Sequence, residues 1–183
     1  MNRDSVLSRL ETFESALPYM YRCTGGEVTA GVGHAILNSA EALKLDWQVA
    51  GRPASAAEVT ADFAKVAAAA KGMLAARYEP LTQCRLSADS ITKVALADIA
   101  SFESALIRAI PALESFPEPA QEALFDMAFN LGMAGLRKFP KLLAAAQAGD
   151  WVTAAAECHR LGISEARNQA TAALFRQAAV NLT

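Results

Sequence analysis

Apolar residues recur at helical spacing from the start of the chain. Val6, Leu10 and Phe13 lie on one side of a helical period, which predicts an amphipathic helix over residues 4–16. Because the residue before a proline disfavours helical geometry, we expect this helix to stop before Pro18. The chain is therefore predicted to open with a helix and then to change its structure at once.

An aromatic and β-branched segment follows this helix. Residues 19–35 place such residues on both sides of Gly25 and Gly26, which predicts a β-hairpin. The arm after the turn alternates in character, so we expect one face to pack and the other to let a ligand approach the backbone. The packed face has Val28, Ala30 and Val32, and the open face has Thr29, Gly31 and Gly33.

Two further helices are predicted after the hairpin. Ser39 is a suitable cap for a short helix that reaches about Trp47. Ser55 and Glu58 have the spacing of a capping box, and an apolar stripe continues from there. The longest helix is therefore predicted over about residues 55–79.

The rest of the chain is predicted to be helical, so the expected fold class is mostly helical α+β. We expect one domain over residues 1–183, with a small N-terminal lobe at about 1–54, the helix at 55–79 as a connection, and a helical C-terminal lobe at about 86–183. The C-terminal helices are predicted at 87–110, 119–131, 140–148, 151–161 and 164–180, with breaks at Gly132, Gly149 and Gly162.

The charge and the cysteines exclude several classes of function. Seventeen basic and 19 acidic residues give a formal net charge of −2, which does not favour a nucleic-acid-binding protein. Cys23, Cys84 and Cys158 are widely spaced, so we expect reduced thiols, no metal and no cofactor, with Cys84 and Cys158 as core residues.

The N-terminal segment lacks the apolar stretch of a signal peptide. Acidic residues interrupt the first twenty positions, and no segment has the length and hydropathy of a membrane span. We therefore expect synthesis in the cytoplasm without a signal peptide and no membrane partner.

Glu14 is the first candidate for chemistry. Most glutamates near the end of a helix are solvated surface residues. Glu14, however, is predicted near the C-terminal end of a helix, where the helix dipole disfavours a negative charge, and a glycine-rich hairpin follows it. This setting favours the protonated carboxyl group that a general acid needs.

The residues after Glu14 form a motif. Residues 21–34 are YRCTGGEVTAGVGH, and the spacings from Glu14 to Cys23, Thr29 and His34 match a family pattern without a gap. That pattern is Glu, then Tyr-x-Asp-x-x-Gly-x-x-Thr-x-Gly-x-Gly-His, and the sequence resembles the phage-type lysozymes of glycoside hydrolase family 24. The resemblance implies a lysozyme-like fold and cleavage of bacterial peptidoglycan.

A second stretch agrees with this resemblance. Residues 123–132 are ALFDMAFNLG, which is similar to the family's second-lobe signature Ala-Leu-x-x-x-x-Phe-Asn-x-Gly. Phe139, Gly149 and the segment around Arg167 also resemble the family. The resemblance thus spans most of the chain.

The resemblance implies roles for individual residues. Glu14 protonates the glycosidic oxygen, Thr29 holds the attacking water and Arg167 orients Glu14. Without the resemblance, Thr29 would be read as an ordinary strand threonine, and Phe129 is as well explained as a core aromatic residue. His34 lies at the end of a hairpin, which favours a structural role. The implied substrate-binding residues are Gly33, Ala35, Phe129 and Asn130.

Cys23 departs from the family, which has its second catalytic carboxylate at this position. A thiol carries the equivalent charge only as a thiolate. Three interpretations follow: Cys23 replaces the carboxylate in a hydrolase, Glu14 works alone as in a lytic transglycosylase, or the fold is a weakened glycan-binding or structural module. Glu27 on the turn is a conceivable substitute carboxylate, although turn glutamates are usually only solvated.

Of these, the sequence favours a bacteriolytic N-acetylmuramidase that cuts β-1,4 bonds between N-acetylmuramic acid and N-acetylglucosamine, with Glu14, Cys23 and Thr29 as catalytic residues. We expect a monomer whose partner is the peptidoglycan glycan strand. Without a signal peptide, the protein would reach the periplasmic wall as a phage endolysin through a holin pore, or as an antibacterial effector of a secretion machine, with an immunity protein as a further partner. The sequence does not choose between these routes.

Overall fold

The first helix ends where the candidate acid lies. In the computed structural model of the protein, which describes residues 1–23 and 25–180, helix α1 runs Arg3–Glu14. The predicted helix is confirmed, and it ends slightly early. Ser15 has a φ of 59°, a left-handed conformation that is costly for a residue with a Cβ, and the chain enters a strand at Leu17.

The predicted hairpin is part of an antiparallel sheet of three strands, in the order β1-β2-β3. All residues of β2 are buried, and a Cβ at Gly31 would lie 3.6 Å from the Ile91 side chain, so the expected open face of this arm is wrong. The strands are β1 Leu17–Arg22, β2 Val28–Gly31 and β3 His34–Ile36.

The short helix predicted to reach Trp47 is wrong at its end. Asn38 caps it, accepting a hydrogen bond from the Glu41 backbone N–H, and Trp47 belongs to a strand instead. The Trp47 indole N–H donates to the Ala42 carbonyl at 2.8 Å, which ties the strand to the end of the helix. The elements are α2 Ser39–Ala42 and a second sheet, in the order β5-β4-β6, made of β4 Trp47–Val49, β5 Arg52–Pro53 and β6 Arg85–Leu86.

Helix α3 begins as predicted and ends early. The capping box of Ser55 and Glu58 is present, but the helix runs only Ala56–Ala68, so the predicted extent 55–79 is wrong. Two side chains donate hydrogen bonds to the carbonyl groups that follow the end of this helix. The Arg22 guanidinium donates to the Ala69 carbonyl at 2.7 Å, and the Tyr78 hydroxyl donates to the Ala70 carbonyl at 2.7 Å.

The remaining chain is helical, as predicted, and the mostly helical α+β class is confirmed. The longest helix is α4, and Gly132, with a φ of 69°, kinks α5 at the predicted break. The last two helices are shorter than predicted at one end each. The helices are α4 Ala88–Ala109, α5 Glu118–Leu136, α6 Pro140–Ala148, α7 Trp151–Glu157 and α8 Glu165–Val180; single 3-10 turns lie at Ala75–Arg77, Glu79–Leu81 and Leu113–Ser115.

The chain divides into two compact units. The sheet unit is Arg9–Asp98, and the helical unit is Met1–Ser8 with the chain from Ile99 onward. Helix α3 lies wholly within the sheet unit, so its predicted role as the connection is wrong. The boundaries between the units fall inside α1 and α4.

Each unit has its own apolar core. Cys84 is buried in the sheet unit and Cys158 in the helical unit, as predicted for core thiols. Burial raises the pKa of Cys84 to about 12, which keeps this thiol protonated and inert. Across the described ranges, no helix is both long and apolar enough to span a membrane. The core of the sheet unit includes Met20, Ile36, Val66 and Tyr78, and that of the helical unit includes Leu106, Leu124, Phe125 and Phe175.

Candidate active site

Glu14 is the last residue of α1 and is partly buried. The carbonyl groups at this end of a helix carry partial negative charge, which opposes ionisation of a nearby carboxyl group. The left-handed Ser15 then turns the chain directly into β1. Helix end, turn and strand together hold Glu14 close to the first sheet within the sheet unit.

One face of this sheet gathers several predicted residues. Thr29 lies opposite Tyr21 on β1 and opposite Ala35 on β3, and directly opposed residues of antiparallel strands share a face. Ala35 is exposed, whereas Thr29 is buried. Gly33 has a φ of 75° in the turn between β2 and β3, a conformation that favours glycine.

Tyr21 connects Glu14 electrostatically with the turn after β1. Burial, and then the negative charges of Glu14, Cys23 and Tyr19, raise the pKa of Tyr21 to about 12. Glu14 and Cys23 are therefore both close enough to act on the same phenol. The candidate acid Glu14 and Cys23, the residue at which the chain differs from the family pattern, thus both act on Tyr21.

Cys23 and Glu27 form a pair across the turn between β1 and β2. The Cys23 thiol donates to Oε2 of Glu27 at 3.1 Å. The Cys23 N–H donates to the Glu27 carbonyl at 3.0 Å, and the Gly26 N–H donates to the Cys23 carbonyl at 2.9 Å. The hydrogen bond from Cys23, the N–H of Glu27 itself and the charges of Lys71 and Arg22 lower the pKa of Glu27.

Arg22 anchors this turn to the end of α3. Its Nε donates to the Gly26 carbonyl at 2.8 Å, and its Nη1 donates to the Ala69 carbonyl at 2.7 Å. Gly26 has a φ of 95°, and a Cβ there would approach the Lys71 side chain to 3.0 Å. Arg22 thus joins the Gly26 backbone to the residue after α3.

Thr29 is tied to the same turn. Its side chain is buried, and its hydroxyl donates to the Glu27 carbonyl at 3.2 Å. A hydroxyl group that donates its hydrogen still has lone pairs that can accept a hydrogen bond. The bond fixes the Thr29 rotamer relative to residue 27.

His34 has a hydrogen-bonding role, as predicted. Its Nδ1 lies 2.8 Å from Oδ2 of Asp98, and the hydrogen bond with Asp98 raises the pKa of His34. The pair joins the start of β3 to α4 inside the sheet unit.

Arg167 belongs to a buried polar network in the helical unit. Its Nε and Nη2 donate to Oδ1 of Asp126 at 3.0 and 2.8 Å. The Arg160 guanidinium and the Thr171 hydroxyl donate to the other oxygen, both at 2.8 Å. Burial alone would raise the pKa of Asp126, but the hydrogen bonds and charges of Arg167 and Arg160 outweigh it and lower that pKa.

Phe129 and Asn130 also lie in the helical unit, and both are partly exposed. The Phe129 ring is 5.2 Å from that of Phe102 and 5.9 Å from that of Phe125, between centroids. Asn130 accepts a hydrogen bond of 3.4 Å from Arg160. Phe129 is therefore part of an aromatic cluster and still presents some surface.

Sequence reasoning missed the partners of the predicted residues. Asp126 and Arg160 are charged and almost fully buried, and the signal available was an acidic residue inside the apolar run of α5. The position of Glu27 beside Cys23 had no sequence signal beyond four-residue proximity, because it depends on the turn conformation.

With these residues placed, the comparison with known families can be interpreted. The fold, with a helix-end glutamate before a glycine-rich sheet, is of the lysozyme-like α+β class. The sequence model of the phage lysozyme family matches residues 11–179, and the chain belongs to this family. The family is one of peptidoglycan hydrolases, and its substrate is bacterial cell-wall peptidoglycan. No curated protein gives a significant match.

Proposed function

We propose that this protein is an N-acetylmuramidase that cleaves the β-1,4 bond between N-acetylmuramic acid and N-acetylglucosamine, with Glu14 as the general acid. The observation that carries the proposal is the position of Glu14, at the dipole-negative end of α1 and beside Tyr21. The helix end places the partial negative charge of its carbonyl groups near this carboxyl group. A carboxyl group that keeps its proton can give it to a leaving oxygen.

The proposed reaction begins at the bridging oxygen. Glu14 protonates it while the bond from C1 of N-acetylmuramic acid breaks, and positive charge develops on that sugar. A water held by Thr29 forms the new bond to C1, and a base takes the proton that this water loses. In the family that base or countercharge lies where this chain has Cys23.

The other site residues come from the resemblance. The resemblance implies an orienting role for Arg167, whose Nε and Nη2 bind Asp126 in the helical unit. The proposed glycan contacts are Gly33, Ala35, Phe129 and Asn130, of which Ala35 is exposed and Phe129 and Asn130 are partly exposed.

A second candidate is cleavage of the lytic transglycosylase type. Position 23 carries a thiol and not a carboxylate, which favours a route in which Glu14 acts alone and a sugar hydroxyl replaces water. A weakened glycan-binding module is the third interpretation of the same substitution. The transglycosylase route predicts anhydro ends on the released fragments, and a binding module predicts no released fragment.

The proposed setting is the bacterial wall. The protein would act on the periplasmic peptidoglycan after release as a phage endolysin or delivery as an antibacterial effector, as a monomer without metal or cofactor. Holin or secretion-system genes beside its own would distinguish the two routes.

Replacement of Glu14 tests the assignment. The Glu14→Gln variant is expected to lose clearing of purified peptidoglycan sacculi while its Tm stays within a few degrees of the parent, because the amide keeps the shape and loses the acidic proton. Glu11→Gln is the matched control, since Glu11 is an exposed residue of the same helix. If Glu14→Gln clears sacculi as fast as Glu11→Gln, Glu14 is not the acid.

A further inference from the structure

We propose that Glu27 supplies the second carboxylate of the reaction and that Cys23 is the residue that positions it. This inference rests on the proposed muramidase activity. It assigns the catalytic charge to a residue four positions after the one that carries it in the family pattern.

The contact between the two side chains places the carboxylate of Glu27 at the family position. The Cys23 thiol donates to Oε2 of Glu27 at 3.1 Å. A carboxylate accepts hydrogen bonds, and the contact with Cys23 lowers the pKa of Glu27. The ionised carboxylate of Glu27 is thus stabilised next to the sulfur atom at the family position.

The backbone of the turn holds residue 27 in place. The carbonyl of Glu27 accepts hydrogen bonds from the Cys23 N–H at 3.0 Å and from the Thr29 hydroxyl at 3.2 Å. Thr29 is the residue proposed to hold the attacking water, so one carbonyl links the water-binding residue with the carboxylate-bearing one. This is more order than a glutamate at the tip of a solvated turn needs.

Gly25 leaves the space that the carboxylate occupies. A Cβ at Gly25 would overlap Oε2 of Glu27 and would lie 3.5 Å from the sulfur of Cys23. The overlapping atom is the end of a flexible side chain, so the overlap shows that the Glu27 carboxylate lies against Gly25.

Electrostatics separate the roles of the two glutamates. The hydrogen bond from Cys23, followed by the N–H of Glu27 and the charges of Lys71 and Arg22, lowers the pKa of Glu27 and keeps it ionised. Glu14, by contrast, is the partly buried last residue of α1, where the helix carbonyl groups carry partial negative charge. One protonated and one ionised carboxyl group are what glycoside hydrolysis requires.

The proposed step transfers one proton from Glu14 and one proton to Glu27. The proton of Glu14 goes to the bridging oxygen as the C1–O bond breaks, and the water oxygen bonds to C1. Glu27 takes the proton that the water loses. One proton exchanged with solvent returns both carboxyl groups to their starting states. Glu27 is exposed, so water reaches it.

Four variants at the two positions test this assignment on purified sacculi. Glu27→Gln is expected to lower the rate about a hundredfold, the usual order for loss of a general base, with Tm unchanged. Cys23→Asp together with Glu27→Gln is expected to recover the rate, because the carboxylate returns to the family position. Cys23→Ser is expected to be faster than Cys23→Ala, since a hydroxyl still donates to Glu27 and a methyl group does not.

Several outcomes would overturn the inference. If Glu27→Gln keeps the parent rate, Glu27 is a bystander, and if Cys23→Ser is then inactive, the thiolate of Cys23 carries the charge. If Glu27→Gln is slow and the added Cys23→Asp does not rescue it, Glu27 acts through the structure of the turn. An active Glu14→Gln variant would refute the muramidase mechanism itself, which keeps the two failures distinguishable.

Discussion

His34 shows how one family residue contributes to stability without entering the chemistry. It is about a quarter exposed and paired with Asp98 at 2.8 Å. The hydrogen bond with Asp98 raises the pKa of His34, so its protonated form is stabilised by folding. The stabilisation is complete below the unfolded-state pKa of about 6.5 and is lost as pH rises through the higher folded-state value.

The His34→Asn variant is therefore expected to be destabilised mainly at acidic pH. The amide can keep the hydrogen bond to Asp98 but cannot carry the charge. We expect the free energy of unfolding to fall by about 1 kcal/mol more at pH 5.5 than at pH 8.5, the order for a partly exposed ion pair, measured by urea denaturation. An equal loss at both pH values, or the same pH dependence in Asp98→Asn as in the parent, would contradict this role.

At the residue scale, the sequence predicted what depends on spacing and missed what depends on turn geometry. Glu14 at the end of the first helix and Thr29 on the strand follow from local patterns, and the structure places both accordingly. The contact of Cys23 with Glu27 arises from a turn whose shape Arg22 fixes by reaching the end of α3. No local propensity encodes such a contact.

At the scale of elements, the buried network around Asp126 joins α5 to α8 and to the segment between α7 and α8, which contains Arg160. Arg160 is fully buried and Arg167 nearly so, and both donate to this single carboxylate. A buried guanidinium without a countercharge is costly. The network therefore makes the packing of these elements depend on one side chain.

The Asp126→Asn variant is expected to lose about 3–5 kcal/mol of unfolding free energy, because it leaves two buried cations without their anion. Since the folded state lowers the pKa of Asp126, its contribution is present above about pH 3.9 and declines as pH falls. Chemical denaturation measures both. Asp46→Asn is the matched control, because its pair with Lys93 is exposed and worth under about 1 kcal/mol. A loss no larger than in the control would refute the network's role.

The elements that were predicted correctly are those specified by neighbours in sequence. The capping box of Ser55 and Glu58 starts α3 at the expected place. The end of α3 was predicted wrongly, because an alanine-rich sequence favours a continuing helix. In the structure, Arg22 and Tyr78 donate hydrogen bonds to the carbonyl groups after its end. Trp47 was assigned to a helix because its strand is three residues long and pairs with distant Leu86.

At the scale of the whole molecule, the fold class and the family follow from motifs that span most of the chain. The match to the phage lysozyme family covers residues 11–179 and agrees with the mostly helical α+β fold. The boundary between the two units falls inside α1 and α4 and not at a loop. A continuous helix carries no sequence signal for such a boundary.

The central claim, hydrolysis between N-acetylmuramic acid and N-acetylglucosamine with Glu14 as acid, predicts a defined chemical product. Mass spectrometry of the material released from purified sacculi is its most direct test. The account predicts soluble fragments that end in reducing N-acetylmuramic acid, and none from Glu14→Gln. Fragments that end in anhydro-N-acetylmuramic acid, lighter by one water, or no released glycan from the parent protein, would contradict it.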